Sequence, residues 1–276
     1  MKKTAHVVAL LLISTFLIAQ NPNPQQGGPR QGAPQPEFVR EANQLARDGK
    51  LAEALKIFEE HTGVPADAFA ANVGAGNVLD FMDKGEEARK RFAKAVEIAP
   101  TPQQKAQANR ATAMSWAFEG NCKKTLEYEQ KVLDFYQGEQ NFFQQGEVAD
   151  EGARVCIDKG DLNTAEEWYK MGHDLGLKEP NLKPDRVDLW NFRWEHAEAR
   201  IAARRGNKAE AEKHVAAAKA ILEKGTNPNQ QQFFPYLVGY VALYTGDFKT
   251  ALDNLQKANQ NDPFIQCLMA ETYEKS

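Results

Sequence analysis

One register of small residues recurs along almost the whole chain, and no other feature of the sequence constrains its fold as much. The segments LAEALKIF and GEEARKRF carry Ala54 and Phe58, then Ala88 and Phe92, 34 residues later. The same small-then-bulky pair continues. Small residues fall at Ala54, Ala88, Thr125, Ala165, Ala211 and Ala251. Four residues on stand Phe58, Phe92, Glu129, Tyr169, Val215 and Leu255. Twelve residues before each small residue lies another: Ala42, Gly76, Ala113, Ala153, Ala199 and Gly239. Five residues before it stands Gly49, Gly120, Gly160, Gly206 or Gly246, and only the second unit departs, with Asp83 there and Gly85 nearby.

The pattern has a physical reading. Small residues let two antiparallel helices approach closely, and the bulky residue one turn later fills the gap beside them. Gly between the helices supplies the left-handed backbone that ends the first one. Asp161, Asn207 and Asp247 follow such glycines and are placed to accept hydrogen bonds from the free amides of the next helix. Pro100 and Pro263 are read as closing the second and sixth units, because Pro cannot continue a helix ladder. Abundant Ala and scarce β-branched runs agree with helix throughout.

This order of small residue, Gly, small residue, aromatic and Pro resembles the tetratricopeptide repeat (TPR) family, over roughly residues 37–276, and 34 residues is that family's period. The resemblance implies an all-α fold, an α-solenoid of about six antiparallel helix pairs plus a terminal helix. It also implies a bacterial protein–protein interaction scaffold or adaptor without cofactor or catalytic residues. Spacings of 34, 37, 40, 46 and 40 residues between the small residues predict insertions or longer helices in units three to six. Glu129 occupies an expected aromatic position, and the adjacent Tyr128 is read as its substitute. Leu189, Trp190, Phe192 and Trp194 make an aromatic-rich start to the fifth first helix. The final segment, FIQCLMAETYEKS, reads as the first helix of a seventh pair, with Met269, Ala270 and Tyr273 in character. It is either a cap or the edge of a chain truncated after Ser276.

The first 36 residues read differently. Lys2 and Lys3 precede an apolar run from Val7 to Ala19, which matches a secretory signal peptide over 1–19, cleaved after Ala19. An uncleaved N-terminal anchor is the alternative. Residues 20–36, QNPNPQQGGPRQGAPQP, hold too few apolar groups to offset the entropy of ordering and are read as a disordered tether. The expected location is the periplasm or the exterior. No apolar run is long enough to span a bilayer.

Net charge is −4, so there is no basic footprint for nucleic acid. The five histidines show no metal-ligand spacing, and no nucleophile, phosphate or dinucleotide motif occurs. Acidic pairs such as Glu86-Glu87 open second helices and complement their dipoles. Export makes a disulfide plausible, and the antiparallel placement of neighbouring helices brings Cys122 and Cys156 forward as its partners. The alternative is two buried free thiols.

For a partner, two rows stand out. Arg193, His196, Arg200 and Arg204 recur at helical spacing in unit five, and Phe233, Tyr236, Tyr240 and Tyr244 in unit six. Unit four adds Asp150, Arg154 and Asp158. If these rows line the face of the first helices, where the resemblance implies that partners bind, guanidinium groups beside tyrosines suit an acidic peptide or a carboxylate. The competing reading is packing for the aromatics and solvation for the arginines. A second functional reading is a regulatory or assembly subunit of an envelope enzyme complex.

Overall fold

The computed structural model describes residues 35–276. The signal-peptide reading and nearly all of the proposed tether lie outside the described residues. The described chain is helical, with thirteen α-helices, one 3₁₀ segment and no strand. It divides into two compact units, one ending at Phe135 and the other running from Tyr136 to Ser276. Such a division suits repeats that touch mainly their neighbours.

Up to residue 135 the helices are α1 (Glu37–Arg47), α2 (Leu51–His61), α3 (Ala68–Phe81), α4 (Gly85–Ile98), α5 (Pro102–Phe118) and most of α6 (Cys122–Gly138). From residue 136 they are α7 (Phe142–Lys159), α8 (Leu162–Gly176), α9 (Pro184–Arg204), α10 (Lys208–Glu223), α11 (Phe234–Tyr244), α12 (Phe248–Leu255) and α13 (Pro263–Lys275). These are six helix pairs and a terminal helix, an all-α array of solenoid type.

The register identified in the sequence is the core. The six small residues Ala54, Ala88, Thr125, Ala165, Ala211 and Ala251 are all fully buried. So are the partners twelve residues earlier, including Gly76 and Gly239. Of the six residues four positions on, only Val215 is half-exposed. A Cβ at Gly74 would enter the ring of Phe58, and one at Gly76 the ring of Phe92. These bulky side chains fill the space that the missing Cβ atoms leave.

The turns inside the pairs are alike. In all six, a backbone N–H donates five residues back at 2.9–3.0 Å, from Lys50 to Leu45, Lys84 to Leu79, Asn121 to Trp116, Asp161 to Cys156, Asn207 to Ala202 and Asp247 to Ala242. This is the Schellman pattern, which requires a left-handed residue before the donor. Gly49, Gly120, Gly160, Gly206 and Gly246 supply it, and in the second unit Asp83 takes it at φ 60°. The expected caps form: Asp161, Asn207 and Asp247 accept from the amides of Thr164, Glu210 and Thr250. Asn121 accepts in the same way from Lys124.

The longer spacings come from long helices, such as the 21 residues of α9, and from the 3₁₀ segment Pro228–Phe233. Within the long α8–α9 connection, Glu179 receives both a guanidinium nitrogen of Arg186 and the indole N–H of Trp190. Trp190 is fully buried against Gly146 and Gly176.

Three expectations need correction. Glu129 itself takes the buried position, whereas Tyr128 stays half-buried under Lys131, so Tyr128 is not its substitute. Pro263 opens α13; it does not close α12, which ends eight residues earlier at Leu255. In α13 the buried residues are Ile265, Leu268 and Thr272, while Ala270 and Tyr273 face solvent.

Candidate interaction face

α9 carries Arg193, His196, Arg200 and Arg204 one turn apart, which a helix places in one row. α9 packs on α8, α10 and α11. The row on α9 therefore meets the tyrosine row on α11. Arg200 donates to the Tyr236 hydroxyl at 3.4 Å, and Arg204 donates to the Tyr240 hydroxyl at 3.3 Å. The Arg204 guanidinium lies 4.7 Å from the Tyr244 ring centre, and the His196 ring 5.3 Å from that of Tyr236. Tyr244 in turn donates to Glu271 on α13.

The two rows are thus brought together, but not as an open row of free side chains. Arg200 is 5% exposed and Tyr240 1%. Arg200 also donates to the Tyr169 hydroxyl on α8 at 2.9 Å and to the His196 carbonyl at 3.2 Å. Replacing Arg200 or Tyr240 would disturb packing and any binding together. Phe233 stands apart. It lies in the 3₁₀ segment ahead of α11 and is 45% exposed. Arg193 is held by Glu147, with Asp150 at 3.9 Å.

α7 supplies the acids and one more base. Arg154 is exposed and makes no ion pair with a described residue. Burial pushes the Asp150 carboxyl up to about 7 and that of Asp158 up to about 6, against the pull of arginines on α7 and α9. His196 is held neutral, well below its usual range, by burial and by Arg200, Arg154 and Arg193. Its Nε2 is buried without a hydrogen-bond partner. Tyr236, Tyr240 and Tyr244 are all raised, chiefly by burial. Tyr169 and Glu271 belong to this cluster and were not singled out as site residues. Tyr169 sits at a register position, which marks it for packing. Glu271 carries no pattern of its own.

A second polar cluster joins α3, α4 and α5. Ser115 donates to Asp80 at 2.8 Å, and Arg89 donates to Ser115, pairs with Glu119 at 2.7 Å and lies over Trp116. Burial raises the Asp80 carboxyl to about 7.

The remaining candidates are quickly placed. Cys122 opens α6, Cys156 is buried within α7, and Cys267 is a half-buried free thiol on α13. His61 bonds Asp67, His173 bonds Asn191, and His214 lies between Glu195 and Glu210. A cleft of about 310 Å³ lies between α10, α11 and α12, where Val215 is smaller than the aromatic residues at the same register position elsewhere. No described helix is long and apolar enough to cross a membrane.

No protein-family model and no curated protein matches the chain. Solved structures do. RapI in its apo form is similar at a TM-score of 0.59 and 10% identity, over 86% of this chain and 93% of that one. A protein of Podosopora anserina with nearly identical TPR-like repeats is similar at 0.54 and 15%, over 68% and 94%. BtubC (BKLC) from P. vanneervenii is similar at 0.51 and 13%, over 68% and 79%. At these identities the likeness concerns the fold, which is TPR-like.

Proposed function

We propose that this TPR-like array is a protein-binding module of a bacterial cell envelope, and that it holds a peptide or partner protein on the face formed by its first helices. One observation carries the reading. The arginine row of α9 lies against the tyrosine row of α11 with Arg204 half-exposed, and α7, which joins the row through Glu147 on Arg193, keeps Arg154 exposed. Rigid aromatics beside guanidinium groups are the side chains that most often anchor protein interfaces. The module carries no chemistry in this reading. Export rests on Lys2, Lys3 and the apolar run to Ala19, and N-terminal sequencing of the mature protein should begin at Gln20.

The test uses residues that can change without loss of packing. Arg154→Glu should reduce capture of the partner from an envelope extract about tenfold or more, since it removes one charge and adds its opposite. Lys213→Glu, at an exposed position of α10, should leave capture unchanged. Equal capture by both variants would count against the first-helix face.

A further inference from the structure

α10, the second helix of unit five, is held differently from its counterparts. It buries only Ala211 and Ala218 completely, and its register residue, Val215, is half-exposed. The second helices α2, α4 and α8 instead bury Phe58, Phe92 and Tyr169 at that position. Apolar packing therefore fixes α10 less firmly. The residue before Val215 is His214, and its ring lies between two carboxylates. Nδ1 is 2.6 Å from a carboxylate oxygen of Glu195 on α9, and Nε2 is 3.1 Å from one of Glu210, one turn earlier on α10. The His214 side chain is 15% exposed. Both distances are those of hydrogen bonds. A neutral imidazole carries a single N–H, so it donates to one of these carboxylates and turns a lone pair toward the other. An imidazolium donates to both.

The surroundings favour the charged form. Glu198 stands three residues after Glu195, on the same side of α9, and its Oε1 is buried without a hydrogen-bond partner among the described residues. Lys213 pairs with Glu210 from solvent, and Arg205 is held by Glu166 on α8. α11 and the 3₁₀ segment also pack on α10 and carry no charged residue. The α11 tyrosines bond Arg200, Arg204 and Glu271 instead. Across the cleft, Asp247 caps its own helix, α12. We propose that His214 is a proton-operated latch. As imidazolium it joins Glu195 to Glu210 and fastens α10 to α9; on losing its proton it releases one of the two carboxylates. The stability that the latch contributes is thus present in acid and lost at higher pH, once the ring is neutral. Because α10 braces α9, the support of the arginine row follows pH, whether or not that row binds a partner.

The experiment compares urea denaturation of the whole chain with that of His214→Gln at about pH 5.5 and about pH 8.5, on either side of the ordinary histidine value of about 6.5. Glutamine keeps a hydrogen-bonding side chain and carries no charge. At the lower pH the folding constant of the variant should be about tenfold smaller than the parent's, and at the higher pH the two should agree within about threefold. Hydrogen exchange locates the effect: corrected for intrinsic rates, α10 amides should exchange faster in the variant than in the parent at the lower pH only. In a Glu195→Gln, Glu210→Gln background the pH dependence of the His214→Gln effect should vanish. The parent alone supplies a further readout, because proton NMR at the lower pH should show two slowly exchanging imidazole N–H signals from His214. An equal loss at both pH values, a pH-dependent loss that persists without the two carboxylates, or the absence of those N–H signals would each overturn the latch.

Discussion

At Gly74 a methyl group would enter the Phe58 ring, and at Gly76 the Phe92 ring. The small residue and the aromatic ring are complementary halves of one contact, which is why they recur together in the sequence. Gly74→Ala should therefore destabilise the protein by about 1–3 kcal/mol through overpacking. Phe58→Ala should cost about 3–5 kcal/mol through the cavity it leaves. Urea denaturation measures both, and a neutral Gly74→Ala would contradict the packing described. This level was legible in the sequence, because a helix crossing imposes its spacing on the chain. The exception is Glu129, which takes an inward position that its neighbour Tyr128 fits better by composition alone. Burial there depends on the helix face, and helical phase separates adjacent residues by about 100°.

Between elements, the bridge from Asp80 on α3 to Ser115 on α5 gives a pH dependence whose sign can be worked out. The folded carboxyl titrates at about 7, above the ordinary aspartate value of about 4. Between those values the folded state binds more protons than the unfolded state, so this group's contribution to stability falls as pH rises from 4 to 7. Asp80→Asn mimics the protonated acid. It should stabilise the protein relative to the parent at pH 8, on the order of 1–2 kcal/mol after discounting for partial solvent access, and lose that advantage at pH 5. Parallel denaturation curves at the two pH values check it, and an unchanged difference would contradict it. Asp150 and Asp158 slope the same way, whereas neutral His196 slopes oppositely, with stability lost as pH falls below about 6.5. The comparison must therefore be made between variant and parent.

Elements also mark where sequence reading stops. The Arg193–Arg204 row and the Tyr236–Tyr244 row were visible as periodic patterns. Their mutual burial was not, because it depends on Tyr169 from α8 and on α13 closing over Tyr244. Phe233 looked like the start of the tyrosine row because three-residue spacing is helical, but Pro235 sits in the first turn of α11, and Phe233 ends the preceding 3₁₀ segment.

Over the whole molecule, six units obey one register through helices of 8 to 21 residues. Length varies where solvent lies, and the crossings stay constant. We propose the Cys122–Cys156 disulfide as a covalent staple of an exported chain. By loop entropy it contributes about 3–4 kcal/mol. Thiol titration of denatured, unreduced protein should find one reactive thiol, that of Cys267, and three would contradict the bridge. The central claim remains that the first-helix face is where a partner sits, and site-specific photo-crosslinking in living cells tests it most directly. With p-benzoylphenylalanine in place of Asp158, one turn along α7 from Arg154, one partner protein should be captured. The same group in place of Lys213 on α10 should capture nothing. Capture from Lys213 and none from Asp158 would contradict the account.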